Sequence, residues 1–243
     1  MSRVLLSISA LDPSGGAGLH ADIKTARRIG FYPISILTAL TSQNTYNVKS
    51  VHKIPSRILK EQIKSLLDDV KRVDAIKIGL IPSYSLAIAI RKLTKKFTSP
   101  IVLDPVIYSS SGRKIGDVKS YIHLLPHVDV ATPNLTEAKI LSGLDSEPSN
   151  IAKKLGEFGC KVVITGGELG GKDIVFDLEK IYTVEAEFSQ ATVHGTGCVY
   201  STSLACYLGE GRSFEDSVRL ARLVTLESIK KAAKIGKCPC TNP

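Results

Sequence analysis

RVLLSISALDPSGGAGLHADIKTARRI, residues 3–29, is the stretch whose reading decides the fold class. Val4 to Ser9 is an apolar run of strand length, Asp12 to Gly18 is a glycine-rich turn, and Leu19, Ile23, Ala26 and Ile29 recur at helical spacing, which makes Leu19 to Ile29 a helix. A strand passing through a tight turn into a helix is the opening half of a βαβ unit, and the same alternation continues outward from it. Further strands are expected at Pro33 to Thr38, Ala75 to Ile78, Ile101 to Leu103, Val128 to Ala131 and Lys161 to Thr165. Helices are expected at Ser83 to Lys96, Val118 to Leu125, Asn134 to Leu141, Cys198 to Leu208 and Phe214 to Lys234. Ile58 to Lys71 is a further amphipathic helical segment. Between Thr165 and His194 the period drops to two, so Asp173 to Asp177 and Lys180 to Phe188 read as an antiparallel pair. The whole describes an α/β domain with a mostly parallel sheet, whose ligands are expected where strand C-termini collect.

The 243 residues, 43% of them hydrophobic, suffice for a sizeable core, and nothing resembles a linker between two cores, so one domain over 1–243 is expected. No apolar run is long enough to cross a bilayer, and Met1 leads directly into a strand without the layout of a signal peptide; a cytoplasmic protein without membrane contact is expected. Cys160, Cys198, Cys206, Cys238 and Cys240 show neither a disulfide framework nor zinc-ligand spacing. The net charge of +9 raises the question of nucleic acid. Its lysines are spread along amphipathic helices and tryptophan is absent, so there is no stacking platform, and the charge is read as solvated surface that also attracts anionic substrates.

Chemistry concentrates at the ends of the expected strands. His194-Gly195-Thr196-Gly197-Cys198 opens a helix: two glycines let the backbone turn and aim N–H groups at one point, the helix dipole adds positive potential, and Cys198 sits where charge would develop. The plainer reading, two glycines opening a helix with Cys198 packed as a small apolar residue, competes with it. Asp12-Pro13-Ser14-Gly15-Gly16-Ala17-Gly18 has two readings. Gly16 to Ala21 fits a dinucleotide fingerprint, but the acidic residue that site wants after the second strand is absent; the other reading is a close-approach loop for a flat ring, with Asp12 and Asp22 as acceptors. Gln43 and Asn44 follow the second strand, and an amide that both donates and accepts suits a heteroaromatic ring bearing a ring nitrogen and an amino group. Asp104 ends an apolar strand, and Asn134 and Glu137 lie three apart at a helix start. Asp104, Asn134 and Glu137 can hold water-ligated Mg²⁺, while Asn134 and Glu137 can equally cap the helix. Thr165-Gly166-Gly167 is a turn that lets backbone approach a nucleotide, and no P-loop string exists.

In order, Asp12 to Gly18, Gln43-Asn44-Thr45, Ile76-Lys77-Ile78-Gly79, Asp104-Pro105-Val106, Thr132 to Ala138 and His194 to Cys198 resemble the hydroxymethylpyrimidine/phosphomethylpyrimidine kinases of thiamine biosynthesis, over essentially the whole chain. The terminal Gly236 to Pro243 is a divergent version of that family's ending, and no fused second domain is expected. The resemblance implies a ribokinase-like three-layer α/β/α sandwich that moves the γ-phosphoryl group of MgATP to the hydroxymethyl group of 4-amino-5-hydroxymethyl-2-methylpyrimidine, then converts the monophosphate to the diphosphate. It further implies Gln43 on the aminopyrimidine edge, Asp12, Gly18, Asp22 and Gly79 around that ring, and Asp104 with Glu137 positioning Mg²⁺. Asn134, Thr165 and Gly167 fall to the nucleotide, and Gly195, Thr196, Gly197 and Cys198 to the anion hole. It implies a homodimer as well. Cys198 stands where sugar kinases of the wider superfamily carry a basic aspartate; a thiol pKa lowered by the helix N-terminus would let it accept the substrate proton.

Two departures matter. Thr165 replaces a lysine common in relatives, which bears on the second phosphorylation and leaves Lys172 as a possible substitute cation; Leu80 replaces a common methionine on the pocket wall. The nearest alternative is a pyridoxal kinase of the same superfamily. A silent pyrimidine sensor and an NAD-linked protein are the readings from other classes; the intact Asp104, Asn134, Glu137 and Cys198 oppose the first, and the missing ribose carboxylate opposes the second.

Overall fold

The structure, a computed structural model, describes residues 2–185 and 192–243. Among the described residues the strands are β1 (Arg3–Leu11), β2 (Phe31–Gln43), β3 (Val48–Lys53), β4 (Ala75–Ile78), β5 (Ile101–Leu103), β6 (Val130–Ala131), β7 (Lys161–Ile164), β8 (Lys172–Phe176) and β9 (Ile181–Glu185). The helices are α1 (Gly18–Ile29), α2 (Ser56–Asp69), α3 (Tyr84–Thr94), α4 (Val118–Leu124), α5 (Leu135–Ser142), α6 (Pro148–Gly156), α7 (Thr196–Gly209) and α8 (Phe214–Lys230). All nine strands form one sheet in the order β3-β2-β1-β4-β5-β6-β7-β8-β9. The five pairings from β2 through β7 are parallel; β3, β8 and β9 are antiparallel additions at the two edges.

Alternation along the strands builds the three layers. Leu6, Ile8, Ile76, Ile78, Ile101 and Leu103 point to one face and pack with Leu59, Leu86, Ile90, Leu124, Leu141 and Ile151 from α2 to α6. Leu5, Ala75, Val102, Val130 and Val163 point to the other and pack with Ala26, Tyr200, Leu204, Val218 and Ala221 from α1, α7 and α8. Strands buried on both faces are what parallel pairing demands. The chain leaves β1 toward β2 on one side and resumes at β4 on the other, so β1 and β4 bracket the point where strand order reverses. No helix among the described residues is long and apolar enough to cross a membrane.

Several boundaries differ from expectation for identifiable reasons. The second strand runs on to Gln43 because β3 pairs with it from Ala39 to Gln43 and takes up backbone groups that the polar sequence assigned to a turn. The sequence reading had no strand at β3 and no helix at α6, although Pro148 at the first turn with Ile151, Ala152 and Leu155 buried gives α6 the usual start and stripe. The last helix stops before Lys234 because the Ala233 N–H and carbonyl both pair with Cys240. Of the strand expected over 180–188, Ile181–Glu185 is found, and 186–188 lie outside the described residues.

All five cysteines are free thiols, with Cys160 and Cys206 fully buried and Cys238 partly exposed. Iodoacetamide is therefore expected to label Cys238 first and Cys160 and Cys206 only on unfolding, as peptide mass spectrometry of the native and denatured protein will read. Labelling of Cys206 at the rate of Cys238 would contradict the packing of α7.

Candidate active site

Each parallel strand delivers a residue to one cavity of about 590 Å³ at the C-terminal edge of the sheet. Leu11 and Asp12 come from β1, Thr41 and Gln43 from β2, Leu80 from beyond β4, Asp104 from β5, Thr132 and Asn134 from β6 and Thr165 from β7, while Gly195 to Cys198 close it from α7. A hairpin in the loop after β5, with a bridge between Tyr108 and Lys114, covers one side; Arg113 ties it to the Val48 and Lys49 carbonyls. Tyr108 to Ser110 and Gly112 line the cavity, a contribution the sequence did not signal.

The anion loop is held from below. Gly195 sits at φ 94°, and the first helical bond of α7 is the Val199 N–H to the Gly195 carbonyl, so the Thr196, Gly197 and Cys198 amides precede the ladder at its positive end. The His194 N–H donates to the Pro239 carbonyl (2.9 Å) and the Thr241 N–H to the His194 carbonyl (3.0 Å). Thr241 Oγ1 also donates to the Gly16 carbonyl (2.8 Å) and Lys24 Nζ to the Thr241 carbonyl (3.0 Å). The C-terminal segment thereby joins the anion loop to the loop after β1. The close approach at Gly16 is made by His194 and Cys240.

Lys77, in the middle of β4, is fully buried and turned toward α1 and α7. Its Nζ lies 2.9 Å and 3.1 Å from the two Asp22 oxygens and 3.6 Å from Asp104 Oδ2. Asp22 also accepts from Ser7 Oγ (2.6 Å) and Thr202 Oγ1 (2.8 Å). Asp22, expected against the ring, is fully buried in this network under the floor and does not line the cavity. Gly79 likewise lies beneath the floor: a Cβ there would come within 2.5 Å of Ser9 Oγ and 2.8 Å of Lys77 Nζ.

The Cys198 thiol faces the cavity, but its pKa is pushed up to about 12, by burial first, with Lys77 pulling down and Asp104 and Asp22 pushing up. Burial thus works against the lowering expected from the helix N-terminus. Asp104 accepts from Ser201 Oγ (3.1 Å) and is raised by burial against the pull of Lys77. Glu137 is pushed up to about 8 by burial and by Asp104. Its two oxygens accept from the Ile107 and Asn134 N–H groups, both at 3.1 Å, and Asn134 Oδ1 accepts from the Glu137 N–H (2.8 Å). The capping box is therefore formed, and both carboxylates still line the cavity. No group of three or more His, Cys, Asp or Glu able to hold a metal occurs among the described residues. Two hard oxygen ligands, one of which (Asp104) raises the proton affinity of the other (Glu137), fit Mg²⁺ held largely by water and phosphate, and do not form an all-protein cage.

At the β6–β7 end of the cavity, where the nucleotide is expected, Thr165 lines the wall, and its N–H donates to the Pro133 carbonyl (2.9 Å). Gly167 is exposed and off the cavity wall; the sterically required glycine is Gly166, whose Cβ would lie 2.6 Å from Lys172 N. Glu168, unforeseen, reaches the cavity and accepts from the Thr136 N–H (2.9 Å) and hydroxyl (3.1 Å). Lys172 pairs with Glu185 at 2.9 Å on the β8–β9 surface and supplies no cation to the site.

Asp12 lines the cavity and organises its loop: its carboxylate accepts from the Ser14 N–H (2.8 Å), Ser14 Oγ (2.7 Å) and the Ala17 N–H (2.9 Å), and lies 2.8 Å from His194 Nε2. Gly18, at φ 56° with its Cβ position 2.3 Å from the Ala10 carbonyl, cannot carry a side chain there. Gln43 reaches the cavity next to His194 (2.9 Å). The structure therefore brings together Asp12, Gly18, Gln43, Asp104, Asn134, Glu137, Thr165 and Gly195 to Cys198, and sets Asp22, Gly79 and Gly167 apart. Lys77 and His194 had been quoted only inside motifs. A lysine in a four-residue buried strand is itself a signal of a charge partner inside.

Residues 12–241 match the phosphomethylpyrimidine kinase family. A hydroxymethylpyrimidine/phosphomethylpyrimidine kinase of Aquifex aeolicus is 36% identical over 96% of this chain and 97% of its own. Among solved structures, pyridoxal kinase of Bacillus subtilis in complex with ADP superposes with a TM-score of 0.89 at 28% identity, covering 100% of this chain and 97% of that one. Phosphomethylpyrimidine kinase of Clostridium difficile superposes with a TM-score of 0.80 at 30% identity, covering 93% and 99%. With its cavity at the strand C-termini and the anion loop at its floor, the chain belongs to the phosphomethylpyrimidine kinase family.

Proposed function

We propose that this kinase phosphorylates 4-amino-5-hydroxymethyl-2-methylpyrimidine and then its monophosphate to the diphosphate, with ATP as donor and Mg²⁺ as cofactor, on the route to thiamine diphosphate. The observation that carries the reading is one cavity holding the anion loop with Cys198, the Gln43 amide and the Asp104–Glu137 pair. The hydroxymethyl oxygen forms a bond to the γ-phosphorus as the bond to ADP breaks; the Thr196, Gly197 and Cys198 amides face the charge on the phosphoryl oxygens. Asp104 and Glu137 would hold Mg²⁺, which when bound neutralises phosphate charge. Asn134 and Thr165 border the nucleotide, and Asp12 and Gly18 shape the ring site beside Gln43. A single sheet through all described strands supports one domain over 1–243. The family resemblance supports a cytoplasmic homodimer that handles small molecules and neither nucleic acid nor membrane.

In this reading the substrate proton passes to Cys198 Sγ as thiolate. With the thiol pushed up to about 12, the thiolate fraction grows tenfold per pH unit below that value. Turnover is therefore expected to climb from pH 7 to 9 without a plateau. Cys198→Ala is expected to lose about 10²–10⁴-fold in kcat, and Cys198→Asp to flatten the profile. Near-full turnover in the alanine variant would remove Cys198 from proton transfer.

The test of the function is ADP release with MgATP and, in parallel, hydroxymethylpyrimidine, its monophosphate and pyridoxal, each product identified by mass. Mono- and diphosphate products support both steps. Monophosphate alone confines the enzyme to the first, in keeping with Thr165. The likeness to pyridoxal kinase keeps that second reading open, and pyridoxal phosphate as sole product would select it.

A further inference from the structure

His194 joins three parts of the cavity through one ring. Its Nε2 lies 2.8 Å from Asp12 Oδ2 and 2.9 Å from Gln43 Nε2, and its Nδ1 lies 3.0 Å from Ser110 Oγ on the covering hairpin. These distances overdetermine where the protons are. Three donors converge on the Asp12 carboxyl, the Ser14 N–H and hydroxyl and the Ala17 N–H, an arrangement that favours the ionised, acceptor-only form. Burial would raise its carboxyl, but the bonds from His194 and Ser14 outweigh that and hold it below the ordinary value. An ionised Asp12 facing Nε2 at 2.8 Å requires a proton on Nε2, whether the imidazole is neutral or carries both protons.

With Nε2–H fixed, an amide nitrogen of Gln43 facing it would set donor against donor. The far end of the amide leads to the same conclusion. Thr41 Oγ1 lies 2.8 Å from the Leu11 carbonyl and 3.2 Å from Gln43 Oε1. Its single proton goes to the carbonyl, so toward Gln43 it can only accept, and an oxygen there would set acceptor against acceptor. The two ends of a side-chain amide are assigned from their neighbours. Rotating the amide by 180° removes both conflicts: the one proton on His194 Nε2 is shared in a three-centre bond between Asp12 Oδ2 and Gln43 Oε1, and Gln43 Nε2 donates to Thr41 Oγ1.

We propose that Gln43 works in this turned orientation, held by the Nε2 proton of His194, and that His194 thereby acts as a positioning residue that aims the hydroxymethyl arm of an aminopyrimidine at Cys198. This rests on the kinase reading above. The amide keeps one lone pair on the His194 side and one N–H on the Thr41 side for the ring edge. In the substrate the exocyclic amino group stands between a ring nitrogen and the carbon bearing the hydroxymethyl arm. The amino group then falls on the His194 side, the ring nitrogen on the Thr41 side, and the arm is carried toward the segment that runs from His194 to Cys198. The opposite amide orientation would carry it toward Thr41.

The first test needs no substrate. Long-range ¹H–¹⁵N spectra of the labelled full chain, with His194 assigned by its disappearance in His194→Gln, are expected to show a protonated Nε2; a bare Nε2 with Nδ1 protonated overturns the proposal. The second compares dissociation constants for the aminopyrimidine alcohol and its deamino analogue. Glutamine carries its amide nitrogen near the position of Nε2 and asparagine near that of Nδ1. His194→Gln is expected to keep the wild-type preference for the amino compound, and His194→Asn to lose about 10- to 100-fold of it, the range of one lost buried hydrogen bond. If both variants weaken both ligands equally, His194 is merely structural and the proposal fails. If the wild-type enzyme neither binds nor phosphorylates the aminopyrimidine, the kinase substrate reading fails and takes the aiming role with it, whatever the tautomer.

Discussion

Replacing Lys77 by methionine is expected to cost about 3–5 kcal/mol of folding stability, the usual penalty for removing one partner of a buried ion pair. Methionine fills much of the same volume, so the loss does not come from a cavity. Asp22 has no exposed surface, and without the ammonium at 2.9 Å its charge is left with the Ser7 and Thr202 hydroxyls alone. Burial by itself would lower the Lys77 pKa; the Asp22 carboxylate first, with Asp104 beside it, outweighs it and holds the pKa above the ordinary lysine value. Asp104 also loses its nearest cation, at 3.6 Å. Urea denaturation of Lys77→Met and of Lys77→Met with Asp22→Asn gives the answer. The double variant should recover part of the loss, because a neutral amide is far cheaper to bury than an unpaired carboxylate. An unchanged midpoint in the single variant would mean that the network does not hold α1 to β4.

The parts legible in the sequence were those that local pattern determines. Ala75 to Ile78 and Ile101 to Leu103 are legible to the residue because short buried strands stand as mostly apolar stretches between breakers, Lys77 being the one exception. Asn134 and Glu137 offered a choice between capping and metal binding; the structure forms the cap and leaves both groups on the cavity, so the alternatives were compatible. What escaped depends on distant partners. Thr41 to Gln43 look like a polar turn until β3 pairs with them, and Gly167 looks equivalent to Gly166 until Lys172 folds back so that a Cβ on Gly166, and not one on Gly167, would meet its backbone N at 2.6 Å. Asp22 follows a glycine loop and reads as a ligand, yet its partners are Lys77, 55 residues on, and Thr202, 180 residues on. A charge is assigned to a site or to a core only by what faces it, and that information is non-local.

Gly195→Ala is expected to abolish most turnover, about 10²–10³-fold in kcat, with a smaller loss of stability. Two costs coincide at this position. The backbone sits at φ 94°, where an L side chain is strained by about 1–3 kcal/mol. A Cβ would also lie 1.8 Å from the Gly16 carbonyl oxygen and 3.0 Å from Thr241 Oγ1. The clash meets backbone, which cannot rotate away, so the loop bearing the Thr196, Gly197 and Cys198 amides must lift from the loop after β1. It thereby breaks the junction that the Thr241 hydroxyl makes with Gly16. Donors aimed at a developing charge lose most of their value when displaced by an ångström, which is why rate should suffer more than folding. Gly197→Ala is the matched control: its Cβ position meets nothing within 4 Å and its φ needs no glycine, so helix propensity should leave stability equal or improved by about 0.5–1 kcal/mol. Thermal melts with kcat for both variants separate the effects. If Gly195→Ala melts and turns over like the wild type, the two loops are not rigidly joined, and the anion hole must be assembled by the nucleotide.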